Sequence, residues 1–557
     1  MPKVTGIALA VLLVVVAAAC SDESDDDGGS ASSSTAAIED VTLDASLSAH
    51  PTSAISAVLD VSAEPAAPVT VTVEGPGGTF EVPVAQDATR VPIVGMRAEA
   101  DYTVTVSAGD AVESLEWTTG SLPAEMPAVA LESASPDAVQ EGVTVFSAFG
   151  WDPVPEGQPA PDAGWIIATD EEGEVIWYVR LRHQLLDVDT TPRGTFLVTA
   201  GDTVIQEIDL FGTVLREWGT RVATEYAVND LQGRPLSGPD TVPIAIDSAH
   251  HEVTELPNGN IITLSTEVLE LDDATAQRLC PDNPEGSIVG DIVVELSPDG
   301  DVVHEWKLSD IYDPASHPGS EMCIQGQLLA PPNWFYPASS PTRDWSHANA
   351  VELVEETNML IVSARHFDGI FGIRYEDDDE GPAGELLWSF GARGEMALDG
   401  EPPYHQHAME LQADGTSILL YDNGNFRPGS VSAQGSEPNY SRAVLYDVDV
   451  EANEATQVWE HRDTWADGRP IYTPFLGDVD RLGNGNVLVT HGGGSTAQGA
   501  FQANIVEVLP GAAADGSENE VVWSLLVGSG DPSPVPGVPT GWSVYRAERL
   551  ASLYFGS

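Results

Sequence analysis

The chain has 557 residues with 22 basic against 88 acidic side chains, a formal net charge of −66, and 42% of its residues are hydrophobic. Charge of that sign and size excludes nucleic acid as a partner and repels anionic lipid, while the hydrophobic content is that of a folded protein larger than one ordinary domain. Gly at 52 positions and Pro at 40 favour many short strands and turns over long helices.

In chain order, residues 1–20 read as a leader: Met-Pro-Lys, an apolar run from Ile7 to Ala19, then Cys20. The run is short for a membrane span and has the length of a signal-peptide core. Ala17-Ala18-Ala19-Cys20 resembles a bacterial lipobox, so Cys20 is the expected lipidation site. The chain is therefore expected to be exported, to the periplasm or the cell surface, and to meet a membrane only through that anchor. Residues 21–40, rich in Asp, Gly and Ser, read as a solvated tether. Outside the cytoplasm the two remaining thiols, Cys280 and Cys323, are expected to form a disulfide.

Residues 41–123 alternate polar and apolar, as in Val69-Thr70-Val71-Thr72-Val73, which predicts half-buried antiparallel strands. Met96 to Tyr102 resembles the tyrosine corner of immunoglobulin or fibronectin type III sandwiches. This part is read as a small β-sandwich.

From residue 140 to 557 the rhythm changes to a turn followed by a strand ending in tryptophan. The phrases close on Trp177, Trp218, Trp306, Trp388, Trp459 and Trp523, at intervals from 41 (177 to 218) to 88 (218 to 306) residues. Between them lie hairpins such as Leu256-Pro257-Asn258-Gly259-Asn260, whose Asn-Gly pairs suit tight turns. Six such phrases predict an all-β fold, a six-bladed β-propeller behind the sandwich, with the tryptophans packed between neighbouring sheets. The final strand, around Trp542 to Leu550, is expected to complete the first blade.

Five of the 12 histidines stand just before the first strand of a repeat: His250, His251, His347, His405 and His407. In a propeller such positions converge on the central channel. Arg365, 18 residues after His347, can return to the same place. A guanidinium there argues against a metal ion and for a small tetrahedral oxyanion, sulfate or phosphate. A neutral imidazole can attack the central atom of such a group and carry it, with cationic neighbours steadying the equatorial oxygens. No Gly-rich phosphate loop is present to hold a nucleotide donor.

Three sets of residues resemble the bacterial aryl-sulfate sulfotransferases over residues 140–554. They are Asp344-Trp345-Ser346-His347-Ala348-Asn349-Ala350 with Ser363-Ala364-Arg365-His366, Gln406-His407-Ala408 leading to Tyr421-Asp422-Asn423-Gly424-Asn425, and His250-His251-Glu252 leading to Leu256. The resemblance implies a sulfuryl transfer from an aryl sulfate ester to a phenol through a sulfohistidine, with no cofactor and no nucleotide donor. It assigns His407 as the sulfated residue, His347 and Arg365 to the sulfuryl oxygens, and His251 to proton transfer. Ala408 stands where the family often has an acid. A leucine six residues after His250, His347 and His405 supports a different set, leaving His250 against His251 and His405 against His407 open. Asn423 and Arg427 either line the mouth with His250 and His405 as substrate contacts, or belong to a tight Asn-Gly turn. Insertions at 220–245 and 308–343 are expected to cover the channel. A non-catalytic propeller binding a sulfated or anionic ligand is the competing reading, and an oxidoreductase propeller finds no redox pair to support it.

Overall fold

The computed structural model describes residues 41–151, 164–225, 235–282, 284, 287–323, 342–496, 499–530 and 540–556. The expected leader, Cys20 and the tether lie outside these residues. The described chain is all-β, with eight sheets and a few short helical turns.

Strands between Thr42 and Thr118 build two of the sheets. One holds Thr42–Ala49, Ala57–Glu64 and Arg90–Ile93; the other Gly78–Val82, Val69–Gly75, Asp101–Ala108 and Ala111–Thr118. Alternation decides which side chains turn inward: Tyr102, Val104 and Val106 join Leu59 and Val61 of the facing sheet in one core. The Tyr102 hydroxyl accepts the Arg97 N–H (2.7 Å) and donates to the Pro76 carbonyl (3.0 Å). That pins the bend before its strand, as expected of a tyrosine corner.

The other six sheets each hold four antiparallel strands in meander order. We label their first strands β1 (Leu185–Thr190), β2 (His250–Glu255), β3 (Ala348–Val354), β4 (His407–Leu411), β5 (Asp478–Arg481) and β6 (Trp542–Leu550). Each of these touches the next, and β6 touches β1, so the contacts close into a ring. Two strands from far along the chain seal it. The sheet holding Val143–Gly150 takes β6 from the end of the chain, as expected of the terminal strand. The last sheet takes Val129–Ala134 as its outermost strand, paired with Glu520–Val527. This segment lies before residue 140, where the sequence placed the start of the repeats. Its half-exposed edge position leaves only a weak apolar pattern to read.

All six phrase-ending tryptophans are buried on outer strands. The indole N–H of Trp177 reaches the Leu210 carbonyl in the next sheet, Trp218 reaches Pro298, Trp306 reaches Tyr375, Trp459 reaches Asn519, and Trp523 reaches Glu171 in the first sheet. Trp388 instead donates to Met359 of its own sheet. An indole between two sheets fills the wedge that sheet twist opens at the periphery and satisfies its single donor across the seam.

Candidate active site

The site is built at the start of three innermost strands, where regular pairing fails. Register shifts fall between His250 and Val253, Ala348 and Ala350, and His407 and Met409. An extra residue in a strand bends it and re-aims its side chains. The backbone is left-handed at His251 (φ 63°), His347 (49°), His405 (57°) and Ala408 (50°), which costs a non-glycine residue on the order of 1 kcal/mol or more. Buried polar ties hold it there. The Ala348 N–H donates to Asp291 (2.8 Å), the Asn349 amide to the Gln406 carbonyl (2.7 Å), and the His405 N–H to Asp368 (2.8 Å).

His251, His347 and His407, far apart in sequence, meet. Ring centroids are 5.0 Å apart for His251 and His347, 6.0 Å for His251 and His407, and 6.3 Å for His347 and His407. One nitrogen from each lies within 4.8 Å of the other two. Each Nδ1 is already engaged: that of His251 with His250 Nδ1 (2.7 Å), that of His347 with the Asp344 carboxylate, and that of His407 with Asn423 Oδ1 (2.7 Å). Among the described residues no Nε2 of the three has a hydrogen-bond partner.

These ties fix where the protons sit. The Asn423 amide nitrogen donates to the carbonyls of Thr473 and Leu476, each at 2.7 Å, so its oxygen faces His407 and must accept. His407 therefore carries its proton on Nδ1 and presents a lone pair at Nε2. Burial, then the charge of Arg365, push its pKa well below the ordinary histidine value, leaving the ring neutral at pH 7. His251 is pushed down similarly by burial and by its neighbours His250 and His347. Burial also opposes charge on His250, but Asp291, 3.3 Å away, and Asp202 outweigh it and raise its pKa. Asp291 and Asp202 thus favour a second proton on His250; in that state His250 donates from Nδ1 to His251 Nδ1, and a neutral His251 carries its own proton on Nε2.

Arg365 opens a helical turn after the strand Met359–Ala364, and its N–H bonds the His347 carbonyl at 3.0 Å. Its Nη2 donates to the Pro474 carbonyl (3.1 Å), and its Nη1 lies 2.7 Å from His366 Nε2 and 3.7 Å from Glu321. Its Nε is buried without a partner. A second guanidinium, Arg546 of β6, is bound by Glu252 (2.8 and 2.9 Å) and Asp187 (3.1 Å), and its charge also depresses His251 and His407. Tyr545 lies 5.9 Å from His251 and joins an apolar cluster with Phe149, Leu476, Trp151 and Phe475. The three histidines thus offer a nucleophilic nitrogen and further imidazoles around one point, with Arg365 near enough for its charge to depress His407 and Tyr545 against His251.

A family model described as Arylsulfotransferase (ASST) matches residues 131–522. The chain belongs to this family. Two curated members, each named arylsulfate sulfotransferase AssT, are similar to it. The one from Escherichia coli O6:H1 is 24% identical over 387 residues, covering 60% of this chain and 58% of that protein; the one from Lelliottia amnigena is 22% identical over 374 residues, covering 58% and 56%. The chain thus spans a little over half the length of these family members. A solved structure of a protein of unknown function from Bacteroides caccae is 12% identical, with a TM-score of 0.31 over 71% of this chain and 94% of that one, a likeness too slight to bear on function.

The other sequence candidates have protein partners. His250 bridges Asp291 and His251. His405 is fully buried between Glu321 (3.0 Å) and Asp368 (2.9 Å), outside the histidine cluster. Asn423 orients His407 from behind. Arg427 is paired with Asp422 and Glu401, both at 2.6 Å, and stacked on Tyr440. Each of these four side chains is engaged with neighbouring protein groups; His250 and Asn423 reach the cluster through the Nδ1 atoms of His251 and His407. Cys280 and Cys323 form the expected disulfide. It anchors the stretch carrying Glu321, whose carboxylate is held well below the usual range by His366, His405 and Arg365 despite its burial. Sequence reading missed Glu321, His366, Asp344, Arg546 and Tyr545. Asp344 and His366 lay inside the quoted motifs; the other three carry no local signal.

Proposed function

We propose that this protein is an aryl-sulfate sulfotransferase working in two half-reactions through a sulfohistidine at His407, without a nucleotide sulfate donor. In this reading the six ringed sheets are the blades of a six-bladed β-propeller, and the two sheets before them an immunoglobulin or fibronectin III-like sandwich. The observation that carries it is the three Nε2 atoms left free around one point, with the His407 tautomer fixed by Asn423 and an unpartnered Arg365 Nε beside them.

In the first half-reaction His407 Nε2 attacks sulfur. The N–S bond forms as the S–O bond to the aryl group breaks, and the electron pair leaves on the phenolic oxygen. A phenol has a pKa of ~10 and leaves poorly as its anion, so the His251 Nε2 proton passes to it. In the same movement His251 Nδ1 takes the proton of His250, so His251 stays neutral, now protonated on Nδ1, and His250 gives up its charge. Positive charge grows on the His407 ring as the N–S bond forms, and Asn423 Oδ1 stabilises the Nδ1–H. Arg365 Nε donates to the sulfuryl oxygens, and His347 Nε2 joins it when the ring, paired with Asp344 through Nδ1, carries a second proton. The second half-reaction reverses these movements with an acceptor phenol, its ring against Tyr545, Phe475 and Trp151. Two guanidiniums beside the histidines favour this anion over a metal ion. Export with a lipid anchor at Cys20 remains part of the proposal and accords with the disulfide.

Intact mass after mixing with an aryl sulfate tests the reading. The wild type gains one sulfuryl group and releases one phenol; His407→Ala does neither. An equal adduct on both would put the covalent step elsewhere.

A further inference from the structure

Further along the same innermost strands the ring changes character. A cavity of about 480 Å³ opens there, and each strand from β1 to β6 turns a carboxylate to it: Asp187, Glu252, Glu352, Glu410, Asp478 and Glu548. Asp480 adds a second from β5, two residues on and therefore on the same face. Among the described residues the one cationic side chain lining this space is Arg546, and its charge is largely committed. Both terminal nitrogens lie on Glu252 and one on Asp187 (3.1 Å), whereas Asp478 is met only by Nε at 3.8 Å.

Among the described residues no cation is bonded to Asp480 or Glu548, and Asp478 has only that 3.8 Å contact. Asp478 is only 4% exposed, and its Oδ2 has no hydrogen-bond partner; neither does Asp480 Oδ2. A buried carboxylate oxygen with no donor is costly, and this one belongs to a carboxylate crowded by two others. Burial first, then the charge of Glu252 against that of Arg546, pushes Asp478 up to about 6, and burial with repulsion from Asp478 pushes Asp480 and Glu548 well above the usual range.

The donor set selects the ion. One oxygen from each of the three lies within 4.8 Å of the others, close enough to share one cation. Calcium accepts many carboxylate oxygens in a flexible geometry, whereas magnesium demands a near-octahedral shell and gives up its waters reluctantly, so a crowd of protein carboxylates favours calcium. Hard oxygen donors with no nitrogen or sulfur exclude the softer metals. We propose that Asp478, Asp480 and Glu548 hold one divalent cation of the calcium class inside the ring. Such an ion would tie β6, the strand from the end of the chain, to β5, and so lock the closure of the ring. The inference is independent of the chemistry at His407.

The test uses the full chain stripped by a chelator and titrated calorimetrically with Ca²⁺ in ~0.15 M NaCl, which screens the acidic surface. One ion per chain is expected to bind saturably at about 10⁻⁴ M or tighter, and to raise the unfolding midpoint; Mg²⁺ should bind at least ~10-fold more weakly. Asp480→Asn and Glu548→Gln should each abolish this site while unfolding no earlier than wild type in chelator, since each removes a repelling charge. Uptake unchanged in both variants would assign the binding to the surface and overturn the proposal. If neither isostere folds, the wild type decides: a midpoint that is the same in chelator and in Ca²⁺ overturns it as well.

Discussion

Asn423 makes no contact with the expected substrate position, yet the chemistry should depend on it. Its three hydrogen bonds, each 2.7 Å, fix the proton of His407 on Nδ1. As sulfur bonds to Nε2, the Asn423 contact becomes a hydrogen bond to a charged ring, a class of bond that contributes ~1.5–3 kcal/mol. Losing it in Asn423→Ala should slow sulfation ~10–150-fold, with KM little changed because the donor touches other groups. Single-turnover release of a chromogenic phenol measures this step directly. Asn423→Asp provides the discriminating comparison. In the wild type, burial and Arg365 hold His407 well below its ordinary pKa. The attacking neutral form should therefore persist as the pH falls through 6.5, and the rate should drop only below that. A carboxylate at position 423 keeps the same tautomer but favours the protonated ring, so the acid limb should move to higher pH. Full single-turnover activity in Asn423→Ala, or an acid limb unmoved in Asn423→Asp, would refute the tautomer argument.

Arg365→Lys keeps a positive charge but removes the buried Nε and the planar fork, so kcat should fall ~10²–10³-fold in steady-state assays, as for loss of one oxyanion donor. Cys280→Ser opens a loop with a sequence separation of 43 and should lower stability by ~2–4 kcal/mol in denaturant titrations. Activity should fall with it because Glu321 loses its anchor, and reductant should reproduce the effect on the wild type but add nothing to the variant. Burial first, then Glu410 and Glu252 against the Leu411 N–H, push Glu352 up to about 7. A folded pKa above the unfolded value of ~4.3 means a contribution present in acid and lost as the pH rises through 7. Glu352→Gln should therefore gain ~1–3 kcal/mol at pH 8 in chelator and nothing at pH 4, read by urea unfolding at both pH values.

The repeat was legible because its punctuation is chemical. A tryptophan at the end of each outer strand and an Asn-Gly or Asp-Gly hairpin leave marks that survive unequal loops. The histidines were legible as a set for the same reason, since each stands just before a strand. Which member of each pair faces inward was not, because a bulge breaks the period of two on which any such reading depends. The leucine spacing pointed to His250, His347 and His405; the extra residue at the start of β2 and β4 brings His251 and His407 beside His347 instead. Glu321 and Arg546 were beyond reach for a different reason. They arrive at the site through a disulfide-held loop and the last strand, and no local pattern encodes either arrival. The strand at 129–134 escaped because an edge strand needs few apolar residues.

Arg546 explains how two opposed electrostatic environments share one ring. Above it His251 and His407 must stay neutral to act; burial keeps them so, and the charge of Arg546 adds to it at both, as that of Arg365 does at His407. A guanidinium in so buried a place would be prohibitive alone, but Glu252 and Asp187 bind it from the carboxylate side, and its Nη2 also donates to the Asn349 carbonyl (3.3 Å). The acids therefore act on the imidazoles at one remove: by fixing Arg546 they fix the field in which His407 carries a lone pair. The left-handed residues at the strand starts and the crowded carboxylates further along are each unfavourable locally. They are sustained because β6 closes the ring while carrying Tyr545, Arg546 and Glu548 in one short stretch, so that the strand completing the fold also sets the charge on both sides of it.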